Sequence, residues 1–374
     1  MLFSILISII YFLLIGSFII GFDKVKTINL ENVSAKNSFS IVIPFRNEAK
    51  NLPELLHSLS LLNYPKNLFE ILLINDASTD DFNSIIQNFI RNNPNLNVYL
   101  LNNQRETKSP KKDAINTAIS NSRFNWIVTT DADCQVPKNW LQLFNQTIKQ
   151  EQPFFISAPV KFKAGKSFLF HFQNLNFLSL IGSTIGGFGI NRPFMCNGAN
   201  LCYHKNTFIE INGFFGNSNI SSGDDVFLLE KINKKYPEKV KFLKSIEATV
   251  ETKPENNFNS FLNQQLRWAS KSTAYNNTFS KFIGTLVFTM NLTVIILGFL
   301  TIIFTNYLNY FLSITVLKIS IDAVLIFKTS NFLNNIKSLK YYLPISLLYP
   351  IFIMVAGSLS FFKSYNWKGR TFKK

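Results

Sequence analysis

The chain combines long uninterrupted apolar runs near its two ends with short periodic segments between them. The long runs are Leu2–Phe22, Ile283–Phe304, Tyr307–Phe327 and Tyr341–Phe362. Each is close to the ~20 residues that a helix needs to cross a bilayer. Between Phe22 and Ile283 no run is that long. The pattern therefore predicts one large extramembrane region flanked by membrane helices.

Buried-strand patterns alternate with helical periodicity in the first half of that region. Strands are predicted at Ser40–Ile43, Phe69–Ile74, Leu96–Leu101 and Trp126–Thr130, with Pro44 ending the first strand. The helical segments between them begin near Leu52, after Ser78–Asp81 and at Lys111–Ser120. Strands that alternate with helices predict a mostly parallel sheet with right-handed crossovers, hence an α/β fold.

The pattern is less regular further along the chain. Ser157–Phe162 is predicted to be one more strand, and Phe258–Ala274 a helix before the second apolar run. Residues 166–190 are aromatic but too polar to span, so they form either an amphipathic segment on the membrane surface or a core helix. Their Gly186-Gly187-Phe188-Gly189 follows no strand and is therefore not a dinucleotide-binding fingerprint.

Two of the apolar runs allow more than one interpretation. The first could be a signal peptide, but it lacks a basic start and an obvious small-residue cleavage site, which favours an uncleaved anchor. The third contains Lys318 and Asp322, which are four residues apart and could pair on one helix face. Such a pair could also serve a channel or transporter, although the large extramembrane region argues against that class.

The charge of the chain points to a membrane rather than to nucleic acid. The net charge is +16, but there is no dense Arg/Lys block and no nucleic-acid motif, so no nucleic-acid partner is predicted. Basic residues near membrane spans mark the cytoplasmic side and attract anionic lipid. Lysines of this kind are Lys24, Lys26, Lys271, Lys281, Lys328, Lys337 and Lys340. The three cysteines have no CxxC spacing and indicate neither a zinc site nor disulfides.

Candidate chemistry begins where the Trp126–Thr130 strand runs into Asp131-Ala132-Asp133. Side chains at i and i+2 of an extended segment point the same way, so both carboxylates can face one point. Such a pair suits Mg2+ or Mn2+, although the aspartates could merely open a turn before Pro137. Asp76 also follows a strand, which places it at the same edge of the sheet, where nucleotides bind. Capping of a turn is the alternative for Asp76.

Six motifs occur in a characteristic order between Phe39 and Trp268. They are VIPFRNEAKNL, LLINDASTD, TTDADCQVP, NGANLCYHKNTFIEINGF, GDDVFL and QQLRW. Together they resemble the family 2 inverting glycosyltransferases. The resemblance implies the GT-A fold, a Rossmann-like and mostly parallel sheet with flanking helices. It also implies a nucleotide-sugar donor and a divalent cation, Mg2+ or Mn2+.

The resemblance assigns the nucleotide site to the loops after the first strands. Three residues would border the base and ribose: Pro44, Arg46 and Glu48. Asp76 would hold the uracil or ribose, and a lysine at position 111 or 112 would face the nucleotide. Pro110 stands where a glycine is more usual, so the choice between Lys111 and Lys112 stays open.

The remaining motifs correspond to the metal, the base and the acceptor. Asp131 and Asp133 match the Asp-x-Asp pair that binds the metal and, through it, the diphosphate. Asp225 matches the general base, and Asp224 stands before it where a glutamate is more usual; both could also cap a helix. The Gln-x-x-Arg-Trp motif beside the diphosphate and acceptor matches Gln264, Arg267 and Trp268. For Arg267 and Trp268 an interfacial anchor is the alternative.

The predicted organisation is a transmembrane anchor, a linker, a GT-A domain, C-terminal membrane helices and a basic tail. Their bounds are residues 1–22, 23–38, 39–275, 283–362 and 363–374. With four spans the basic tail would lie outside, against the charge rule.

We expect an integral membrane glycosyltransferase in a bacterial inner membrane. Its catalytic domain should be cytoplasmic, because nucleotide sugars are cytosolic. It should transfer a sugar, with inversion, from a UDP-sugar or similar donor to a lipid-linked or saccharide acceptor. A processive polysaccharide synthase and an inactive scaffold subunit are the alternatives.

Overall fold

A computed structural model describes residues 1–218, 220, 222–272, 277–362, 365–367 and 370–372. The chain forms two compact units. The α/β unit comprises residues 26–163 and 195–253, and the helical unit comprises residues 1–25, 164–194 and 254–374. Residues 363–364, 368–369 and 373–374 of the predicted tail lie outside the described residues, as do residues 273–275 of the predicted domain.

The strands are β1 (Phe39–Phe45), β2 (Phe69–Asn75), β3 (Val98–Asn102), β4 (Trp126–Thr129), β5 (Phe155–Ser157), β6 (Val160–Phe162), β7 (Leu201–His204), β8 (Val240–Phe242), β9 (Val250–Thr252), β10 (Tyr365–Trp367) and β11 (Arg370–Phe372). The α-helices are α1 (Leu2–Lys24), α2 (Leu52–Ser60), α3 (Phe82–Asn92), α4 (Pro110–Asn121), α5 (Trp140–Glu151), α6 (Phe168–Gly189), α7 (Lys205–Glu210), α8 (Asp224–Lys235), α9 (Phe258–Ser272), α10 (Thr278–Ile303), α11 (Leu308–Phe332) and α12 (Tyr342–Phe362).

The α/β unit is built on one seven-stranded sheet with the order β3-β2-β1-β4-β7-β5-β8. Strands β1 to β4 pair in parallel, whereas β7 is antiparallel to both of its neighbours. Strand β2 is buried along its whole length, as expected for a strand that helices cover on both faces. The predicted α/β class and the four predicted parallel strands are confirmed.

Two details of the strand prediction were wrong. The single strand expected over Ser157–Phe162 is divided, because β5 joins the main sheet while β6 pairs with β9 in a separate small sheet. Pro44 does not end β1, which continues to Phe45. The pairing of β1 with β4 covers only Phe39–Val42, so Pro44 lies beyond it, where a missing N–H removes no bond to β4.

Among its described residues, the helical unit contains four helices that are long and apolar enough to cross a membrane, α1, α10, α11 and α12. The third predicted run, despite Lys318 and Asp322, forms the continuous helix α11. Helix α6 packs against α1 and α11, and its residues from Phe170 to Leu178 are all buried. The segment 166–190 therefore contains a core helix rather than one lying on a membrane surface.

Helices α1 and α6 cross with their backbones in contact. A Cβ atom added at Gly21 would collide with the carbonyl oxygen of Gly186, and one added at Gly189 would collide with that of Gly21. Small residues at a crossing are the usual way for membrane helices to approach so closely, since dispersion contacts replace the hydrophobic effect there. We call this contact the glycine crossing.

Candidate active site

The loops after β1 and β2 are joined by hydrogen bonds at the carboxyl edge of the sheet. The Nη1 atom of Arg46 donates to the carbonyl oxygens of Asp76 (2.7 Å) and Ala77 (2.5 Å). The Oδ1 atom of Asn47 accepts from the backbone N–H of Thr79 at 2.8 Å. In return, the Oδ2 atom of Asp80 accepts from the backbone N–H of Ala49 at 2.7 Å. We call these two segments, residues 46–49 and 76–80, the loop clasp.

The loop clasp contains two residues in a conformation that is uncommon outside glycine. Asn47 has φ 52° and Ala77 has φ 53°. Such left-handed residues cost free energy and persist where surrounding bonds hold them, often next to binding sites. Pro44 precedes the loop clasp within β1, and buried Glu48 accepts from the Nδ2 atom of Asn51 at 2.6 Å.

Asp76 is the charged centre of this edge. It is 5% exposed, and its Oδ1 atom accepts from the Nε atom of Arg105 at 2.6 Å and from the Nδ2 atom of Asn103 at 2.8 Å. The sequence analysis did not identify Asn103 or Arg105. The sequence did contain an indication of them. Both residues follow β3, and Asp76 follows the neighbouring strand β2, so all three lie at the same edge of the sheet.

A second group of charges lies where β4, α4 and α8 meet. The Nζ atom of Lys111 lies 2.8 Å from Oδ1 of Asp131 and 3.4 Å from Oδ2 of Asp224. Asp225 is the second residue of α8, and its Oδ2 atom accepts from the backbone N–H of Gly198 at 3.1 Å. The start of α8 favours negative side chains, because the N-terminus of a helix carries partial positive charge. Asp131, Asp224 and Asp225 around Lys111 form what we call the carboxylate cluster.

The carboxylate cluster keeps Lys111 charged. Burial alone would lower the pKa of the Lys111 amine, but the charges of Asp131 and Asp224, the hydrogen bond to Asp131 and the charge of Asp225 outweigh burial and raise it. One ammonium group thus faces three carboxylates. The negative charge of these three carboxylates exceeds the positive charge of Lys111.

Asp133 lies beside the carboxylate cluster and is half-buried. Its Oδ1 atom contacts the Sγ atom of Cys134 at 3.6 Å. Burial, followed by the charges of Asp133 and Asp131, raises the pKa of the Cys134 thiol, which therefore stays neutral. Among the described residues, no three His, Cys, Asp or Glu side chains are placed to share one metal ion. The oxygen donors of Asp131 and Asp133 fit a hard divalent cation that takes further ligands from a diphosphate and water.

The two neighbouring lysines of α4 point to different partners. Lys112 is 1% exposed, and its Nζ atom donates to O (2.7 Å) and Oδ1 (3.1 Å) of Asn217 and to O of Ile220 (3.0 Å). It also lies 4.7 Å from the centre of the Phe227 ring in α8. The structure therefore brings Lys111 to the carboxylates, whereas Lys112 anchors the loop that leads into α8.

The Gln-x-x-Arg-Trp motif lies on α9 in the helical unit. Within that unit, the Nε2 atom of Gln264 donates to Oε1 of Glu255 at 3.2 Å. The Trp268 ring lies 6.4 Å from that of Phe177 in α6, and Arg267 is half-buried. The roles predicted for Gln264, Arg267 and Trp268 stay predictions.

A mostly parallel sheet with acidic side chains gathered at its carboxyl edge defines a GT-A type of α/β protein. A mannosyltransferase, PcManGT from Pyrobaculum calidifontis, solved in complex with GDP-Man and Mn2+, has a similar fold. The TM-score is 0.55 over 96% of both chains, with 12% sequence identity. At that identity the likeness concerns the fold.

The sequence model described as Glycosyl transferase family 2 matches residues 40–214, and this segment is a family 2 glycosyltransferase domain. The chain is 27% identical over 123 residues to the glycosyltransferase AglE of Haloferax volcanii, covering 33% of this chain and 39% of that protein. It is 34% identical over 106 residues to the poly(ribitol-phosphate) beta-N-acetylglucosaminyltransferase TarS of Staphylococcus aureus, covering 28% of this chain and 18% of that protein. The chain thus spans two fifths or less of these relatives.

Proposed function

We propose that the protein is an inverting glycosyltransferase of a cytoplasmic membrane face. It transfers a sugar from a nucleoside diphosphate sugar, with a UDP-sugar as the first candidate, to a lipid-linked or saccharide acceptor. The observation that carries this proposal is the carboxylate cluster, whose excess negative charge lies at the same sheet edge as the loop clasp. A buried carboxylate such as Asp76 and a cation-binding acidic group at one edge suit a base-ribose moiety joined to a diphosphate.

The loop clasp and Asp76 are proposed to hold the nucleoside. The carboxylate of Asp76 already accepts from Arg105 and Asn103 and can accept further bonds from ribose hydroxyls or a base N–H. Arg46 is occupied by the carbonyl oxygens of Asp76 and Ala77. Its contribution is therefore to fix the wall of the pocket, with Pro44 and Glu48 beside it.

The leaving diphosphate needs its charge neutralised. Asp131 and Asp133 would hold Mg2+ or Mn2+, and the bound cation would supply that neutralisation. Lys111 would turn from Asp131 to a diphosphate oxygen, since its ammonium group keeps its charge at neutral pH. Arg267 is proposed to add a second positive charge. The similar mannosyltransferase structure contains Mn2+, which makes Mn2+ the first cation to test.

Asp225 is the proposed general base. Its two oxygens accept from the backbone N–H groups of Gly198 (3.1 Å) and Val226 (2.8 Å), which fix its orientation. It would take the proton of the acceptor hydroxyl while that oxygen bonds to the anomeric carbon and the bond from this carbon to the diphosphate oxygen breaks. One base suffices, because attack comes from the face opposite the leaving group. Gln264 and Trp268 are proposed to contact the acceptor.

Two observations bear on the acceptor, and they favour different classes of molecule. The name of TarS gives poly(ribitol-phosphate) as the acceptor of that protein, while the membrane helices of this chain favour a lipid-linked one. A processive synthase shares the Gln-x-x-Arg-Trp motif, and the small number of spans favours single transfer over it. The length of the product separates these two outcomes.

The test uses the full-length protein in detergent with lipid extract, Mn2+, and a panel of UDP-sugars and GDP-mannose. We expect release of nucleoside diphosphate from one preferred donor, together with a glycosylated product of inverted configuration. Asp225→Asn should lower transfer by about 10²- to 10⁴-fold, the usual contribution of a general base, while binding of donor persists. The exposed Asp81 at the start of α3 provides a matched control, and Asp81→Asn should retain full transfer.

Other outcomes would redirect the proposal. An Asp225→Asn protein with wild-type transfer would place the base elsewhere. A wild-type protein that binds no donor and releases no nucleotide would contradict the enzyme and favour a scaffold subunit.

A further inference from the structure

The helical unit contains an ion pair within one of its apolar helices. The Nζ atom of Lys318 lies 2.8 Å from Oδ2 of Asp322, one turn further along α11. The hydroxyl of Tyr11 in α1 donates to Oδ1 of the same carboxylate at 2.7 Å. Charged side chains are costly inside a bilayer and mark functional positions there by default. The sugar transfer proposed above assigns no role to this pair.

A chain of polar side chains continues from the ion pair towards α9. The Nζ atom of Lys318 lies 5.7 Å from the centre of the Tyr349 ring in α12. The Tyr349 hydroxyl donates to Oδ1 of Asn176 in α6 at 3.0 Å. The Nδ2 atom of Asn176 donates in turn to Oε1 of Gln265 in α9 at 3.4 Å. We call this series, Asp322–Lys318–Tyr349–Asn176–Gln265, the polar track.

Helix α9 also contacts the same helices through aromatic rings. The rings of Phe261 in α9 and Phe352 in α12 stack at 5.0 Å, and Phe172 of α6 meets both rings edge-on. Aromatic contacts add attraction beyond the area they bury, but they tolerate sliding and small rotations. Hydrogen bonds are directional, and a broken one leaves buried polar atoms unsatisfied. The polar track is therefore a directional contact of the kind that can fix the rotation of α9 about its axis.

We propose that the polar track sets the rotation of α9 and thereby orients Gln264 and Arg267 for sugar transfer. Gln265 adjoins Gln264 in sequence and lies two residues before Arg267, so a turn of the helix that releases Gln265 moves both. Tyr349 and Asn176 are positioning residues, and the ion pair holds the Tyr349 ring from the other side. This inference rests on the proposed function, because the motif on α9 matters only if the protein transfers sugar.

The first test is Tyr349→Phe in the full-length protein in lipid nanodiscs. This change removes the hydroxyl bonded to Asn176 and keeps the ring beside Lys318. We expect the kcat of transfer to fall about tenfold, the effect of losing one buried hydrogen bond, while the donor KM stays within about twofold. Amide hydrogen exchange across α9 should rise by a similar factor with α10 unchanged. Gln265→Met should do the same, and the double variant should lose no more than the larger single loss.

Tyr342→Phe is the matched control. Tyr342 is also in α12, and its hydroxyl donates to the carbonyl oxygen of Ile319 in α11 rather than to the polar track. It should leave both kcat and exchange across α9 unchanged.

The inference is overturned if Tyr349→Phe and Tyr342→Phe behave alike, or if exchange across α9 stays at the wild-type level. A rise in exchange with unchanged kcat would reduce the polar track to a stabilising contact and also overturn the positioning role. A wild-type protein without transfer would instead contradict the proposed function, while the exchange data would still decide whether the track holds α9.

Discussion

Two of the lysine–aspartate pairs, one in each unit, have the same N···O distance but differ in burial and in charge balance. In the α/β unit Lys111 lies 2.8 Å from Asp131, and in the helical unit Lys318 lies 2.8 Å from Asp322. The Lys111 side chain is 19% exposed and that of Asp131 35%, and two further carboxylates act on the lysine. The Lys318 side chain is 3% exposed and that of Asp322 is 18% exposed. The hydroxyl of Tyr11 donates a hydrogen bond to the Asp322 carboxylate.

Charge balance and access, rather than the length of the pair, separate these two sites. At Lys111 three carboxylates act on one ammonium group and solvent reaches the pair, and a cation is proposed to bind there. At Lys318 one positive charge meets one negative charge away from solvent, so the pair is already complete. The first arrangement suits binding of a cation and a polyphosphate, and the second suits the fixing of helices. Matched substitutions should therefore affect the two sites in different ways.

The largest contrast is expected from the same change made at both aspartates. Asp131→Asn should lower metal-dependent transfer about 10³-fold, because Asp131 is the proposed metal ligand and such a ligand beside the leaving group contributes several kcal/mol. Its thermal unfolding midpoint should stay near that of the wild type, since the site is half-open. Nucleotide release over a Mn2+ titration, with the midpoint recorded on the same sample, gives both values.

Asp322→Asn should show the reverse pattern, a loss of stability without a change in metal dependence. It leaves Lys318 buried without a charged partner, and we expect the free energy of unfolding to drop by about 3 kcal/mol. The Mn2+ concentration that supports half-maximal transfer should not change. A shift of that concentration in Asp322→Asn, or unfolding of Asp131→Asn, would remove the distinction between the two sites.

The next largest effect is expected from substitutions of the two adjacent lysines of α4, which should differ in their effect on stability. Lys112→Met removes the donor of three hydrogen bonds from a buried position, and we expect a loss of about 3 kcal/mol of unfolding free energy. Thermal unfolding in detergent measures it, and Mn2+ should restore none of the loss. A Lys112→Met protein as stable as the wild type would show that the loop before α8 is held by other contacts.

Lys111→Met should have a smaller effect that depends on cations. Without Lys111 the three carboxylates of the cluster repel one another, and we expect a loss of about 1 kcal/mol, as for a partly exposed ion pair. Millimolar Mn2+ should restore the unfolding midpoint, because the metal then supplies the missing positive charge. If Mn2+ stabilises Lys111→Met and Lys112→Met equally, the cation binds somewhere other than the carboxylate cluster.

The smallest effect is the pH dependence of that loss. The pKa of Lys111 is raised in the folded protein, so its stabilising contribution is fully present below the ordinary lysine pKa of about 10.4 and is lost as pH rises through the folded value. The stability difference between wild type and Lys111→Met should therefore be constant from about pH 6 to pH 9. Unfolding midpoints across that range check this, and a difference that shrinks below pH 9 would contradict the raised pKa.

The sequence predicted those parts of the protein that short-range patterns encode. The strand before Asp131 is visible as an apolar run. The extended segment expected at Asp131–Asp133 is instead a turn, in which the N–H of Cys134 donates to the carbonyl oxygen of Asp131 at 3.2 Å. Asp224 and Asp225 lie at the start of a helix as expected, although they form its first turn and Gly223 is the N-cap. Lys318 and Asp322 were predicted to pair because residues four apart on a helix are neighbours, and they do.

Partners chosen by long-range packing could not be predicted in the same way. The bond between Arg105 and Asp76 joins residues whose proximity depends on the pairing of β2 with β3. Lys111 and Lys112 have the same side chain, and their different partners, Asp131 for Lys111 and Asn217 for Lys112, lie far from them in sequence. The strand expected over Ser157–Phe162 splits because β9, which lies far along the chain, takes β6 into another sheet. Apolar periodicity reports that a segment is buried, not which segment buries it.

The glycine crossing has a consequence for how the protein is made. Helix α1 is synthesised early, but its partner at the crossing, Gly186, is added only after residues 26–163 of the α/β unit. At about 5–20 residues per second the ribosome takes roughly ten seconds or more to reach that partner. During this interval α1 exists without the helix against which it packs at the glycine crossing, while the parallel strands β1 to β4 can already pair. Substitution of Gly21 by a larger residue should therefore leave early insertion intact and block a late step of assembly.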